Sequence, residues 1–172
     1  MNQLKWFDRK FNFEHTQNIL PSVMERLRLT PLGLAATIER VPQEVLVQKA
    51  EGKWSILENI GHLLDLESIW QGRLEDILAG KKYLREADLS NTKTHEAQHN
   101  LKDAEVLLEA FRESRTKTVM ELEKLDETDV FKSALHPRLQ QPMRTQDLFL
   151  FVAEHDVHHL AEITYLKRSL RS

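Results

Sequence analysis

Residues 154–162 read Glu-His-Asp-Val-His-His-Leu-Ala-Glu, and two of these histidines stand one helical turn apart. At about 100° per residue, Leu148, Val152, His155, His159, Ile163, Leu166 and Leu170 share one face. Most of that face is core-type, so His155 and His159 sit on the stripe that a fold buries. Their Cβ atoms would be about 5–6 Å apart, and both rings can turn onto one ion. Buried histidines that each find a hydrogen bond are the plainer alternative. Two on one stripe, one turn apart, favour metal binding.

His62, in Ile60-Gly61-His62-Leu63-Leu64, is the best third ligand. Alone it reads as a structural histidine. Its promotion depends on a fold that lays its helix beside the last one. Three neutral imidazoles with an open position suit Zn²⁺ or Ni²⁺, with water in the fourth place. Glu162 lies close to the buried stripe one turn beyond His159. It is the candidate for proton transfer, for orienting a ring, or for pairing with an arginine. Asp156 and Glu58 are possible acceptors for ring N–H groups; for Asp156 a solvated surface position is favoured. His158 falls to the side of the face. His136, in the loop before the last helix, has no spacing argument but is placed to overhang the site; His15 has none.

A rival motif is His95-Glu96-Ala97-Gln98-His99, which matches the H-E-x-x-H pattern of zinc proteases. It follows Asn91-Thr92-Lys93-Thr94 and precedes Asn100, a polar setting that reads as a capped, exposed helix start. No glycine-rich phosphate loop or G-x-S-x-G elbow is present. A di-iron bundle would need two Glu-x-x-His pairs, and Glu96-x-x-His99 stands alone.

The elements that must position these residues are helices. The 172 residues are 41% hydrophobic and 30% charged, which suits one globular domain over 1–172. Five glycines and five prolines are few for an all-β chain. With no cysteine, thiolate zinc sites and cysteine nucleophiles are excluded. A net charge of −3 gives no basic footprint for nucleic acid. No run is long and apolar enough for a membrane span or signal peptide, so the chain reads as cytoplasmic.

Apolar spacing places four helices. The first runs from about Glu14 to Arg40, kinked or broken near Pro31. The second starts at Ser55, where Ser55 and Glu58 form a capping box, and ends at Gly80. A polar, irregular segment covers 81–100. The third helix spans about Leu101 to Leu125 and the last about Thr145 to Leu170. With no strand expected between them, the fold class is all-α, a four-helix bundle.

The segments 54–63 and 154–163 resemble the second-helix and last-helix signatures of the DinB/YfiT-like superfamily, and the likeness covers nearly the whole chain in order. The resemblance implies an up-down-down-up bundle with a long crossover, a divalent metal (zinc or nickel) on His62, His155 and His159, and a homodimer. It implies a small-molecule substrate. Some branches are S-transferases using low-molecular-weight thiols such as bacillithiol or mycothiol, and others are called metal-dependent hydrolases. Neither nucleic acid nor membrane is implied as a partner. Glu162 and Ala161 stand where many members have Gln and Gly. The competing reading is a non-catalytic, stress-linked bundle acting as a binding or dimerisation module.

Overall fold

Pro21 sets where the first long helix begins. A proline fits the first turn because its missing N–H would have had no partner there. The computed structural model, which describes residues 3–170, accordingly starts α1 at Leu20 and carries it to Ile38. Residues 14–19, expected to be helical, are tied instead to the start of the last helix: Arg144 and Gln146 donate to the His15 carbonyl. The short helix α2, Gln43–Leu46, precedes α3, Ile56–Leu78. The Ser55–Glu58 capping box opens α3 as expected, and Gly80 follows its end at φ +68°.

The crossover from α3 contains α4, Thr92–Glu96, and a 3₁₀ turn, His99–Leu101. Asp103 caps α5, Ala104–Leu122. Leu101, where the spacing had this helix begin, therefore lies outside it and is exposed. After α6, Glu127–Phe131, a strand pair appears where only a loop was expected. β1, Ser133–Leu135, and β2, Pro142–Arg144, are antiparallel, with Ala134 opposite Met143. They lead into α7, Thr145–Ser169.

The four long helices are α1, α3, α5 and α7. α1 packs on α7 and α5, and α3 packs on the same two. Along α1 and α7 the contacts advance together: Ile19 with Gln146, Arg26 with Glu154, Thr30 with Asp156, Thr37 with Lys167. These helices are parallel. α3 runs against α7, since Asn59 meets His159 while Trp70 meets Phe151. α5 runs with α3: Leu107 and Phe111 share a cluster with Ile56 and Ile60, and Val119 and Leu122 share one with Trp70 and Ile77. The order is up-down-down-up, as expected.

The core is in two parts, and a polar layer contributed by all four long helices lies between them. Arg115 of α5, 1% exposed, donates to Glu67 of α3 at 2.7–2.9 Å and to Asp156 of α7. Thr118 donates to Glu67 at 2.6 Å, and Thr30 of α1 to Asp156 at 2.9 Å. Asp156, favoured above as a surface residue, is fully buried. Burial works against the Arg115 charge, and the Asp156 and Glu67 carboxylates more than offset it, so its pKa is raised.

The same arginine explains Pro31. α1 is continuous across that residue, so the two-helix alternative does not occur. A proline has no N–H for the carbonyl four residues earlier, which is Leu27. The Arg115 guanidinium donates to that carbonyl at 3.5 Å. A buried acceptor that the helix cannot satisfy is thus met from a neighbouring helix. Among the described residues no helix is long and apolar enough to cross a membrane.

Candidate metal centre

His62 comes from α3, and His155 and His159 from α7, the antiparallel neighbour. All three are buried, and one nitrogen from each lies within 4.8 Å of the others. The Nε2 atoms of His155 and His159 are 3.2 Å apart. Two imidazoles on a tetrahedral ion, with metal–nitrogen bonds of about 2.0–2.1 Å, would place their nitrogens about 3.3 Å apart. The spacing of this pair suits such an ion.

The surrounding hydrogen bonds fix which nitrogen faces inward. Asn59 donates through Nδ2 to the Ser55 carbonyl at 2.8 Å, which turns its Oδ1 to His159 Nδ1, also at 2.8 Å. His159 Nδ1 must then carry the proton, which leaves its Nε2 as a lone pair facing His155 Nε2. Thr94 donates to Asp65 at 2.9 Å, so its oxygen accepts from His62 Nδ1 at 3.2 Å. His62 Nε2 is left as a lone pair in the same way. Asp65 is held low, against its burial, by hydrogen bonds from His99 and Thr94. His155 completes the set differently. Its Nδ1 is buried without any hydrogen-bond partner.

All three rings are pushed toward the neutral form. Burial takes His62 down to about 4, although Asp65 opposes this. Burial and then the neighbouring histidines take His155 and His159 well below the ordinary value. Neutral imidazole is the ligating form, so protons do not compete with a cation here at neutral pH.

The three histidines form the floor of a cavity of about 390 Å³. Trp54 of the α2–α3 connector and Trp70 of α3 wall it, with Phe151 of α7. The N-terminal segment adds Trp6, whose ring meets His155 edge-on at 4.8 Å. His158 lines the wall rather than the floor and is bonded to Gln3 at 2.7 Å. His136 is buried and lines the cavity far more intimately than an overhanging loop residue would.

The other expected candidates lie elsewhere. Glu162 pairs with Lys53 at 2.5 Å and is not among the residues lining the cavity. Glu58 is occupied by its capping box and by Lys49. His95 and His99 are not a helical pair, because Gln98 between them has φ +48° and ends the helical run. His95 is exposed as expected, but His99 is buried, which corrects the reading of an exposed helix start. Its Nε2 donates to Asp65 at 2.8 Å and its Nδ1 accepts from Lys102. A Cβ at residue 61 would overlap the His99 ring, so Gly61 lets that ring lie flat on α3. His99 therefore supports His62 through Asp65 and Thr94.

The residues that sequence spacing did not single out are Asn59, Asp65, Thr94 and the tryptophans. Asn59 and Asp65 had a signal, since they stand three residues before and after His62 on the same side of its helix.

A sequence model of the DinB superfamily matches residues 26–163. The fold is similar to that of YfiT from Bacillus subtilis, described as a probable metal-dependent hydrolase with an unusual four-helix bundle topology. That match has a TM-score of 0.80 at 20% identity and covers 94% of this chain and 93% of that one. A protein from Streptococcus pneumoniae is similar at a TM-score of 0.63 and 11% identity, over 91% and 92% of the two chains. No curated protein matches.

Proposed function

The chain belongs to the DinB superfamily, and from that premise we propose that it is a divalent-metal-dependent enzyme acting on a small molecule. His62, His155 and His159 would hold the ion, with zinc or nickel the best match to an all-imidazole set. The observation that carries this reading is three buried, neutral imidazoles, two with their inward lone pairs set by Asn59 and Thr94, at the floor of an open cavity.

A bound ion would supply Lewis acidity to a substrate, or acidify a water or thiol at neutral pH. The reaction class is hydrolysis or transfer to a low-molecular-weight thiol. YfiT's description favours the first for that protein. The chain's own residues do the rest. Asn59 and Thr94 keep the His159 and His62 imidazoles in one tautomer, and Asp65 and His99 hold Thr94 in place. The Trp6, Trp54 and Trp70 rings exclude water from one side of the floor.

Elemental analysis of purified protein tests this reading. About one equivalent of divalent metal is expected, with hydrolysis or thiol transfer on model substrates lost on chelation and restored by zinc or nickel. Protein that takes up no stoichiometric metal would leave the histidines structural and the bundle a binding module.

A further inference from the structure

The end of the cavity away from the three histidines holds more hydrogen-bond donors than acceptors. Arg73 of α3 and His136 of the β1–β2 connection are each 2% exposed. His136 Nδ1 faces the backbone N–H groups of Arg138 at 3.2 Å and Leu139 at 3.1 Å. Its Nε2 faces Arg73 Nη1 at 3.0 Å. A neutral imidazole has one lone pair, and here both ring nitrogens meet donors. With the lone pair given to the backbone, the Nε2–H stands against the guanidinium, donor to donor. Arg138 adds a third such group. Its Nη2 is buried with no hydrogen-bond partner among the described residues, and its guanidinium lies over the Phe7 ring at 5.1 Å.

Nearby carboxylates do not answer these donors. Asp76 is taken by Arg85 and Lys81. Glu86 and Asp88 line the cavity but are exposed, and Asp88 accepts from Ser90 and Thr92. Arg73 Nε donates to the Arg85 carbonyl at 3.1 Å, but among the described residues neither Arg73 nor Arg138 has a carboxylate within hydrogen-bond reach; burial and then the Arg138 charge lower Arg73 to about 10, although Asp76 opposes this. A buried guanidinium with no carboxylate in hydrogen-bond reach, and donors that face one another, are costly unless an acceptor arrives.

We propose that Arg73, His136 and Arg138 form an oxyanion subsite, and that the substrate carries a carboxylate or phosphate bound there while its reactive part rests against the histidine floor. This rests on the reading of that floor as the reactive end. One ring joins the two ends: Trp70 lies 6.0 Å from the His155 ring and 5.4 Å from the Arg73 guanidinium. With Phe151 beside it, 5.6 Å from His136, the passage between the ends is apolar. The substrate class is therefore a small molecule with an apolar, ring-sized body and an anionic end. An arginine presents parallel N–H groups that suit either oxyanion.

Calorimetric titration of zinc-loaded protein with benzoate, phenyl phosphate and uncharged benzyl alcohol tests the subsite. Both anions should bind at least about tenfold more tightly than the alcohol. Their binding should persist in chelator-stripped protein, which separates this subsite from direct anion binding to the metal. Arg138→Gln should weaken the anions about tenfold or more, leaving metal content and alcohol binding as in the wild type. Arg73→Gln should do the same, with a thermal melt confirming that the more buried variant is folded. Tighter benzoate would identify a carboxylate substrate, and tighter phenyl phosphate a phosphate ester. Anions that bind no better than the alcohol, or as well to folded Arg138→Gln as to wild type, would overturn the proposal. So would anion binding that disappears with the metal. Failure to take up zinc would count against the proposed function alone, since the stripped-protein titration stands without it.

Discussion

Two polar layers cross the interior of this bundle, and they are built on opposite rules. In the Arg115 layer every charged group has partners: Arg115 meets Glu67 and Asp156, and the threonines take the remaining acceptors. In the histidine layer, on α3 and α7, two lone pairs point inward, that of His159 facing the Nε2 of His155, and His155 Nδ1 has no hydrogen-bond partner among the described residues. A satisfied network holds helices in register, whereas a deliberately unsatisfied one is prepared for something that arrives later. Under the proposed function, the contrast separates the part of the interior that maintains the fold from the part that would hold the ion.

The largest effect should follow from breaking the satisfied layer. Arg115→Ala leaves two buried carboxylates facing each other and a free Leu27 carbonyl beside Pro31. Loss of about 3–5 kcal/mol is expected in urea unfolding, because one partner of a buried ion pair has gone. A loss below about 1 kcal/mol would mean that the layer contributes little to holding the four helices.

Changes around the histidines should act on the ion rather than on folding. Thr94→Val and Asn59→Ala each free a ring that is now fixed, and metal affinity should fall about 10–100-fold. Competition with a chromogenic chelator measures this. An unchanged affinity would show that the tautomers are set some other way.

Acid should distinguish the layers as well. His62, lowered to about 4, and His136, lowered to about 3, are both held down by burial, His136 also by the Arg73 and Arg138 charges. Above about pH 6.5 each is neutral whether the chain is folded or not. As pH falls from there toward about 4, the unfolded chain takes up protons that the folded chain refuses, so stability drops. Metal-free protein should show a lower urea midpoint at pH 5 than at pH 7.5, and a flat profile over that window would contradict the burial argument. The smallest change should come from Glu162→Gln, which removes a half-exposed pair with Lys53. At most about 1 kcal/mol of stability and no metal should be lost, and a measurable loss of metal would bring Glu162 into the site.

Much of the histidine layer's convergence was legible in the sequence because its geometry is local. His155 and His159 follow from i, i+4 spacing on a buried stripe, and the capping box placed His62 within its helix. The partners of these rings were not legible, since Asn59–His159 and Thr94–His62 are pairings across the fold. The satisfied layer was nearly invisible. Asp156 read as a solvated surface residue, and only the convergence of four helices shows that it is buried together with Arg115. The same long-range contact hid the surroundings of Pro31, where a kink or a break was expected: α1 runs on past it, and the carbonyl that the proline leaves without a donor is met by an arginine 84 positions later in the chain. The β1–β2 hairpin, with strands of three residues, was too short for alternation to register.

The central claim is that His62, His155 and His159 bind one divalent ion. Elemental analysis of wild-type and His155→Ala protein, after both are loaded with zinc and desalted, tests it most directly. The account predicts about one equivalent in the wild type and loss of nearly all of it in a variant that still unfolds cooperatively. Equal zinc in both proteins, or none in the wild type, would contradict it.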